Sequence, residues 1–298
     1  MIARVPFDSI SGLNSIIIYQ TVQKTPTVRF TMLDDKPYTE LDLRGLGSQL
    51  IFVPTQDSFI MKMVNAMRYF FGRSSGTFSD HFSTHENFPF KGFVFHGPPG
   101  SGKTEAVIEA GRRLFTDLGG EEIEVRVFHI SPTDINRGRV GEMEQRLRKV
   151  FRDAQNADSR TRTVLLFDDI DTLIMGRDDK RSREFTVALN ATFFHEVDRL
   201  NTTNTMICAT TNKTEMLDDA VKSRLWLEEA PAPNLEEMKA VAKSALPIAI
   251  INGKTQDDLL ALAGERIEHH INQGRPPSFR LARMAGIEVL IKEVIGWE

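Results

Sequence analysis

At 298 residues, with 41% hydrophobic and 26% charged residues, the chain has enough apolar material for one large or two unequal packed domains, which excludes a fibrous or low-complexity protein. A net charge of −4 gives no global attraction to nucleic acid or to anionic membrane. The single cysteine, Cys208, excludes an internal disulfide and, in its apolar run, reads as a buried small hydrophobe. No signal-peptide or lipidation pattern opens the chain, and the apolar runs are too short to span a bilayer, so a cytoplasmic protein without a membrane partner is expected.

Residues 1–55 read as a small β-rich appendage without chemistry, with strands at 15–19, 27–32 and 50–54. Ile60, Met63, Val64, Met67, Phe70 and Phe71 then recur at three- and four-residue spacing, which predicts an amphipathic helix over 56–71 starting near Asp57 or Ser58. The polar stretch 72–89 predicts a loop. Its His81 and His85 have a spacing that suits a metal only on a helix, and no third ligand is near, so they read as solvated loop histidines.

The apolar run Phe93-Val94-Phe95 leads into His96-Gly97-Pro98-Pro99-Gly100-Ser101-Gly102-Lys103-Thr104, and a helical pattern over 105–115 follows. This is a P-loop in its strand-loop-helix context. Gly97, Gly100 and Gly102 let the backbone curl so that successive N–H groups point into one hollow, at the positive end of the following helix. A polyphosphate fits there, with the Lys103 ammonium on the β- and γ-phosphates and the Thr104 hydroxyl on magnesium. ATP and Mg2+ are the expected ligands.

A second strand is predicted over 124–130, followed by an amphipathic helix over 143–158 that carries Leu147, Val150, Phe151 and Ala154 on one side. Thr163-Val164-Leu165-Leu166-Phe167 is continuously apolar after its first residue, as a parallel strand covered on both faces requires, and it ends in Asp168-Asp169-Ile170-Asp171. Acids at the carboxyl end of such a strand lie where α/β sheets bind ligands, and this is a Walker B element. A helix over 182–200 and a strand over 205–212 ending in Asn212 come next, and Leu225-Trp226-Leu227 with Pro231-Ala232-Pro233 closes the alternating part. From Asn234 on the pattern is helical, over 235–246, 255–272 and 278–295. The expected class is α/β: a P-loop NTPase parallel sheet with helices on both faces (56–233), followed by a small all-helical lid domain (234–298).

P-loop, Walker B, a strand ending in asparagine, an arginine just past it and a helical lid occur here in the order of the AAA+ ATPases, which residues 56–298 resemble. The stretch 131–142 followed by Leu147-Arg148-Lys149-Val150-Phe151 is similar to the pore loop and following helix of the AAA proteins that remodel other proteins. The resemblance implies that Asp168 holds Mg2+ through water and that Asp169 stands where the family has a catalytic glutamate. Aspartate is one methylene shorter, so slow turnover is expected. Asn212 matches sensor 1 and Arg280 sensor 2. Arg224 matches the arginine finger that reaches the neighbouring subunit's γ-phosphate, although the family's frequent second arginine is Leu227 here. The pore-loop position usually held by an aromatic is Arg139, flanked by Arg137 and Gly138.

The resemblance implies an ATP-hydrolysing ring motor, a homo-oligomer expected to be a hexamer, that remodels a protein substrate. Its compact form is similar to Rubisco activases and to the ATPases that unfold HORMA-domain proteins. Two other readings remain open at this point. One is a nucleic-acid-linked ATPase of the clamp- or helicase-loader type, in which Arg137 and Arg139 meet phosphate; net acidity argues against it. The other is a nucleotide-gated scaffold with slow hydrolysis, suggested by Asp169.

Overall fold

A computed structural model describes residues 36–44, 53–72, 90–118, 123–136, 141–174, 184–248 and 250–296. The chain divides into two units, Met1–Asp34 and Asp35–Glu298, and every described residue belongs to the second. The strands expected at 15–19 and 27–32, the start of the one at 50–54, His81 and His85, and Arg137 to Arg139 lie outside the described residues.

Among the described residues β1 (Thr39–Glu40), β2 (Gly92–His96), β3 (Glu124–Ile130), β4 (Thr161–Phe167), β5 (Thr205–Thr211) and β6 (Trp226–Glu229) form one sheet in the order β1-β3-β4-β5-β2-β6. Strands β2 to β6 are mutually parallel. Every residue of β4 and β5 is buried, which is why Val164–Phe167 and Met206–Ala209 run apolar without alternation. Successive side chains still point to opposite faces. Leu165, Phe167, Ile207 and Ala209 pack with Phe151 and Phe193 on one face, and Val164, Leu166, Met206 and Cys208 pack with Ile60, Val64 and Leu114 on the other.

The covering helices follow from that division. Helices α1 (Pro54–Gly72) and α2 (Lys103–Leu118) cover the second face, and α4 (Glu142–Gln155) and α6 (Glu184–Asp198) cover the first. On the first face the rings of Phe151, Phe167 and Phe193 meet at 5.6–6.0 Å between centroids. Short helices α3 (Pro132–Ile135), α5 (Ile170–Leu173) and α7 (Asp219–Lys222) lie in the connections. They are too short for periodicity to reveal them. Helix α4 stops at Gln155, short of the expected 158, with Asn156 as its C-cap.

Part of the expected appendage belongs to this sheet. Strand β1 (Thr39–Glu40) pairs antiparallel with the edge of β3. Tyr38 stacks on Phe128 at 4.1 Å, and its hydroxyl donates to Asp153 Oδ2 at 3.2 Å. Pro54, expected to end a third strand, opens α1 instead, the first-turn position where a missing N–H costs nothing.

Helices α8 (Leu235–Ala245), α9 (Gln256–Asn272) and α10 (Phe279–Ile295) enclose a separate core of Met238, Ala242, Leu259, Ile267, Leu281, Ala285 and Val289. Asn234 with Glu237, and Thr255 with Asp258, form capping boxes, and Ser278 caps α10. Glu237 does double duty: its Oε1 also accepts the Thr55 N–H at 2.8 Å, joining α8 to the start of α1. Among the described residues no helix is long and apolar enough to cross a membrane.

Two glycines test this packing in opposite directions. A Cβ on Gly92, at φ +150°, would lie 1.9 Å from the Ile207 carbonyl oxygen of the neighbouring strand, whereas one on Gly264, inside α9, would meet the flexible end of Lys239 at 3.2 Å. Gly92→Ala is expected to destabilise by at least about 2 kcal/mol. Gly264→Ala is expected to stabilise by up to about 1 kcal/mol through helix propensity. Denaturant unfolding of both variants reads the difference, and a Gly92→Ala protein as stable as the wild type contradicts the strand packing.

Candidate active site

The strand order decides what meets at the carboxyl edge of the sheet. Strand β5 lies between β4 and β2, with Phe167 paired to Ala209 and His96 paired to Thr211. The residues just past these strands therefore converge: the P-loop after β2, the acids after β4 and Asn212 after β5.

Gly100 and Gly102 sit at φ +80° and +81°, the conformation the loop needs to turn its amides inward. Lys103 opens α2 with its side chain turned back over the loop, and the residue is only 6% exposed. Its Nζ donates to the carbonyls of Gly97 and Pro98 at 3.0 Å each and to Asn212 Oδ1 at 2.8 Å, with Ser101 Oγ at 3.4 Å. Burial lowers the Lys103 pKa, and Asp169 and Asp168 act against that shift.

Asp168 Oδ1 accepts from the Thr104 hydroxyl at 2.7 Å and from the Thr210 hydroxyl at 2.5 Å, and His129 Nε2 lies 3.7 Å from Oδ2. Burial pushes the Asp168 carboxyl up, but His129, Thr210 and Thr104 more than reverse this and hold it well below the usual carboxylate range. Asp169 behaves in the opposite way. Burial and then the like charges of Asp168 and Asp171 raise it, with Lys103 and Arg280 opposing. Two adjacent carboxyls are thus driven apart, one kept ionised and one made more basic, which is the division needed between a cation holder and a proton acceptor.

Asn212 joins the two charged ends. While Oδ1 takes the Lys103 ammonium, Nδ2 donates to Asp169 Oδ1 at 3.2 Å. One strand-register step away, Thr211 Oγ1 donates to the buried Asp171 at 2.6 Å. Arg280, exposed at the start of α10, joins through its backbone, with its N–H toward Gly100 O at 3.3 Å. Its charge acts on both Asp169 and Lys103. Gly97, Pro98, Pro99, Ser101 and Thr104 make up the rest of the loop between β2 and α2.

Arg224 stands apart from this group. Its guanidinium clasps Asp198 at the end of α6, Nε to Oδ1 at 2.6 Å and Nη2 to Oδ2 at 2.9 Å, lies over the Phe194 ring at 5.2 Å and donates to Ala220 O. It contacts none of Lys103, Asp168, Asp169 or Asn212 in its own chain. Asp198 and Thr210 carry no signal in the sequence. A helix-end acid and a strand threonine look ordinary locally, since their partners are set by contacts 26 and 42 residues away.

The geometry agrees with relationships to known proteins. Residues 93–229 match the family model "ATPase family associated with various cellular activities (AAA)". A proteasome-associated ATPase of Streptomyces griseus is 26% identical over 221 residues, 72% of this chain and 34% of that protein. An "AAA ATPase forming ring-shaped complexes" of Bifidobacterium dentium is 30% identical over 135 residues, 45% of this chain and 25% of that protein. The chain thus spans about a third or less of the length of these relatives. A chain of the E. coli MS115-1 HORMA:CdnC:Trip13 complex shares the fold, with a TM-score of 0.59 at 18% identity over 86% of this chain and 96% of that one. Residues 93–229 thus carry an AAA ATPase domain.

Proposed function

We propose that this chain is an ATP-hydrolysing motor that works as a homo-oligomeric ring, expected to be hexameric, and remodels a protein substrate. The observation that carries the reading is the separation of Arg224 from the Lys103, Asp168, Asp169 and Asn212 group. An arginine held outside its own site can serve the γ-phosphate only of a neighbour, and a head-to-tail contact that repeats with rotation closes a ring. A relative described as forming ring-shaped complexes and relatives that are proteasome-associated support this. The fold shared with a chain from a complex containing a HORMA protein supports a folded protein as substrate class.

The residues fit the expected ligands. A hydroxyl and a carboxylate 2.7 Å apart, Thr104 and Asp168, are hard oxygen donors of the kind Mg2+ takes. Bound there, Mg2+ would withdraw charge from the β- and γ-phosphate oxygens. Lys103 would exchange its loop carbonyls for phosphate oxygens, which accept from an ammonium more strongly. Asn212 and Asp169, already hydrogen-bonded to each other, would hold the attacking water between them, and Asp169 Oδ would take its proton. Arg224 from the next subunit would meet the charge that grows in the transition state. Arg280 would report the nucleotide to the lid through its place against Gly100.

A slower, switch-like enzyme is the second reading, favoured by the one-methylene-shorter Asp169. Steady-state turnover decides between them. The motor reading expects a rate per subunit that climbs with protein concentration, a loss of about 10²-fold or more in kcat for Asp169→Asn and of about 10³-fold for Arg224→Ala. Both variants retain nucleotide binding. Tight ATP binding with no turnover at any concentration supports the switch instead.

The acid limb of kcat/KM should report Asp169. A proton acceptor works only when ionised, and burial with the like charges of Asp168 and Asp171 raises its pKa, so activity falls as pH drops through a midpoint above the ordinary aspartate value and is regained above it. Asp168, held low, stays ionised throughout that fall. A pH profile flat down to the ordinary carboxylate range contradicts the assignment.

A further inference from the structure

One buried hydroxyl touches both adjacent acids of the site. Thr210, on β5 and only 1% exposed, donates from Oγ1 to Asp168 Oδ1 at 2.5 Å, and the same oxygen accepts the backbone N–H of Asp169 at 3.1 Å. A hydroxyl has one proton to give and lone pairs to receive with, so both bonds can exist together. Strand pairing puts it there: Phe167 lies opposite Ala209, and Thr210 is therefore level with the residue that follows β4.

The second bond has an unusual target. Asp169 adopts φ +46° and ψ +53°, a left-handed conformation, and Asn252 is the one other non-glycine described residue with positive φ. Side chains with a Cβ rarely settle in that region unless neighbouring contacts hold them. The conformation turns the Asp169 side chain toward Asn212 Nδ2 while its N–H turns back to Thr210. Thr104 also reaches Asp168 Oδ1, so Thr210 is not needed to keep that carboxylate in place by itself. What it adds is a fixed relation between the side chain of the first acid and the main chain of the second.

We propose that Thr210 is a positioning residue for ATP hydrolysis. Its hydroxyl sets the angle between Asp168, which holds the cation, and Asp169, which receives the proton. The short Asp169 side chain makes this alignment matter, because a carboxylate with one methylene fewer has less reach with which to correct a misplaced backbone. The inference rests on the roles proposed above for Asp168 and Asp169. It assigns to β5 a task beyond presenting Asn212.

Two pairs of substitutions isolate the hydroxyl. Thr210→Val keeps the shape and removes the oxygen, and Thr210→Ser compared with Thr210→Ala repeats the contrast in a smaller side chain, so one pair remains informative if valine disturbs folding. In both pairs loss of the hydroxyl should lower kcat by about 10-fold to 10²-fold, the cost of a misaligned reacting group. KM for ATP should stay within about threefold, since the P-loop amides and Lys103 carry ground-state binding. Thr210→Ser should restore most of kcat.

Equal kcat with and without the hydroxyl overturns the proposal. So does a loss that serine fails to restore and that follows a fall in melting temperature, because that pattern belongs to packing. Asp169→Asn assayed alongside separates the two levels: if it retains wild-type turnover, the assignment of Asp169 fails first, whereas if it is inactive and Thr210→Val is not impaired, only the role of Thr210 falls.

Discussion

The carboxyl edge of the sheet depends on how one buried ammonium is compensated. Lys103 lies inside the P-loop at 6% exposure, and a charge taken out of water is tolerated only where donors and acceptors replace the lost hydration. Two loop carbonyls and the Asn212 amide oxygen supply that replacement, with Asp168 and Asp169 contributing charge. Those partners come from the ends of three strands. Satisfying Lys103 therefore requires β4, β5 and β2 to be adjacent, and Asn212 can reach Lys103 and Asp169 together only because β5 is the middle strand of the three.

The same loop is where the C-terminal helices meet the sheet. Arg280 N–H approaches Gly100 O, and a Cβ on Gly100 would lie 2.6 Å from the Arg280 Cβ. A Cβ on Gly102 would strike the Gln56 amide at 2.6 Å and touch Phe279. Glycine at these two positions thus serves close approach as well as backbone turning. With Glu237 bound to Thr55, the start of α1, the P-loop and the start of α10 share one junction. A shift of the P-loop on binding phosphate would reach α10 through the close approach at Gly100 and Gly102, a route by which nucleotide binding would act on the C-terminal helices.

Elements governed by local chemistry are legible in the amino-acid sequence. A glycine-rich loop between an apolar run and a helix declares itself by residue type and order, and the uninterrupted apolar strand 163–167 announces burial on both faces. What stays hidden depends on register. Thr205, Thr210 and Thr211 look alike as β-branched strand residues, yet their hydroxyls serve an α4 carbonyl, Asp168 and Asp171, a distribution that only the pairing of β4 with β5 determines. Strand β1 is silent because two residues carry no periodicity, and β6 begins only at Trp226 because the Leu225 N–H bonds back to the Val221 carbonyl at the end of α7. The partner of Arg224 is invisible for the same reason: Asp198 reads as one more charge at a helix end until the fold brings it under the guanidinium.

If, as we propose, each active site is completed by two chains, mixing two inactive variants restores activity. Asp169→Asn subunits keep Arg224 but lack the proton acceptor, while Arg224→Ala subunits keep Asp169 but offer nothing to their neighbour. A shared site predicts that ATP turnover in the mixture rises well above the sum of the separate variants, peaking near equal proportions, because each Arg224→Ala site can then receive an arginine from an Asp169→Asn neighbour. Turnover that never exceeds the sum, in a mixture shown by size to co-assemble, would contradict the account and leave Arg224 with a role inside its own subunit.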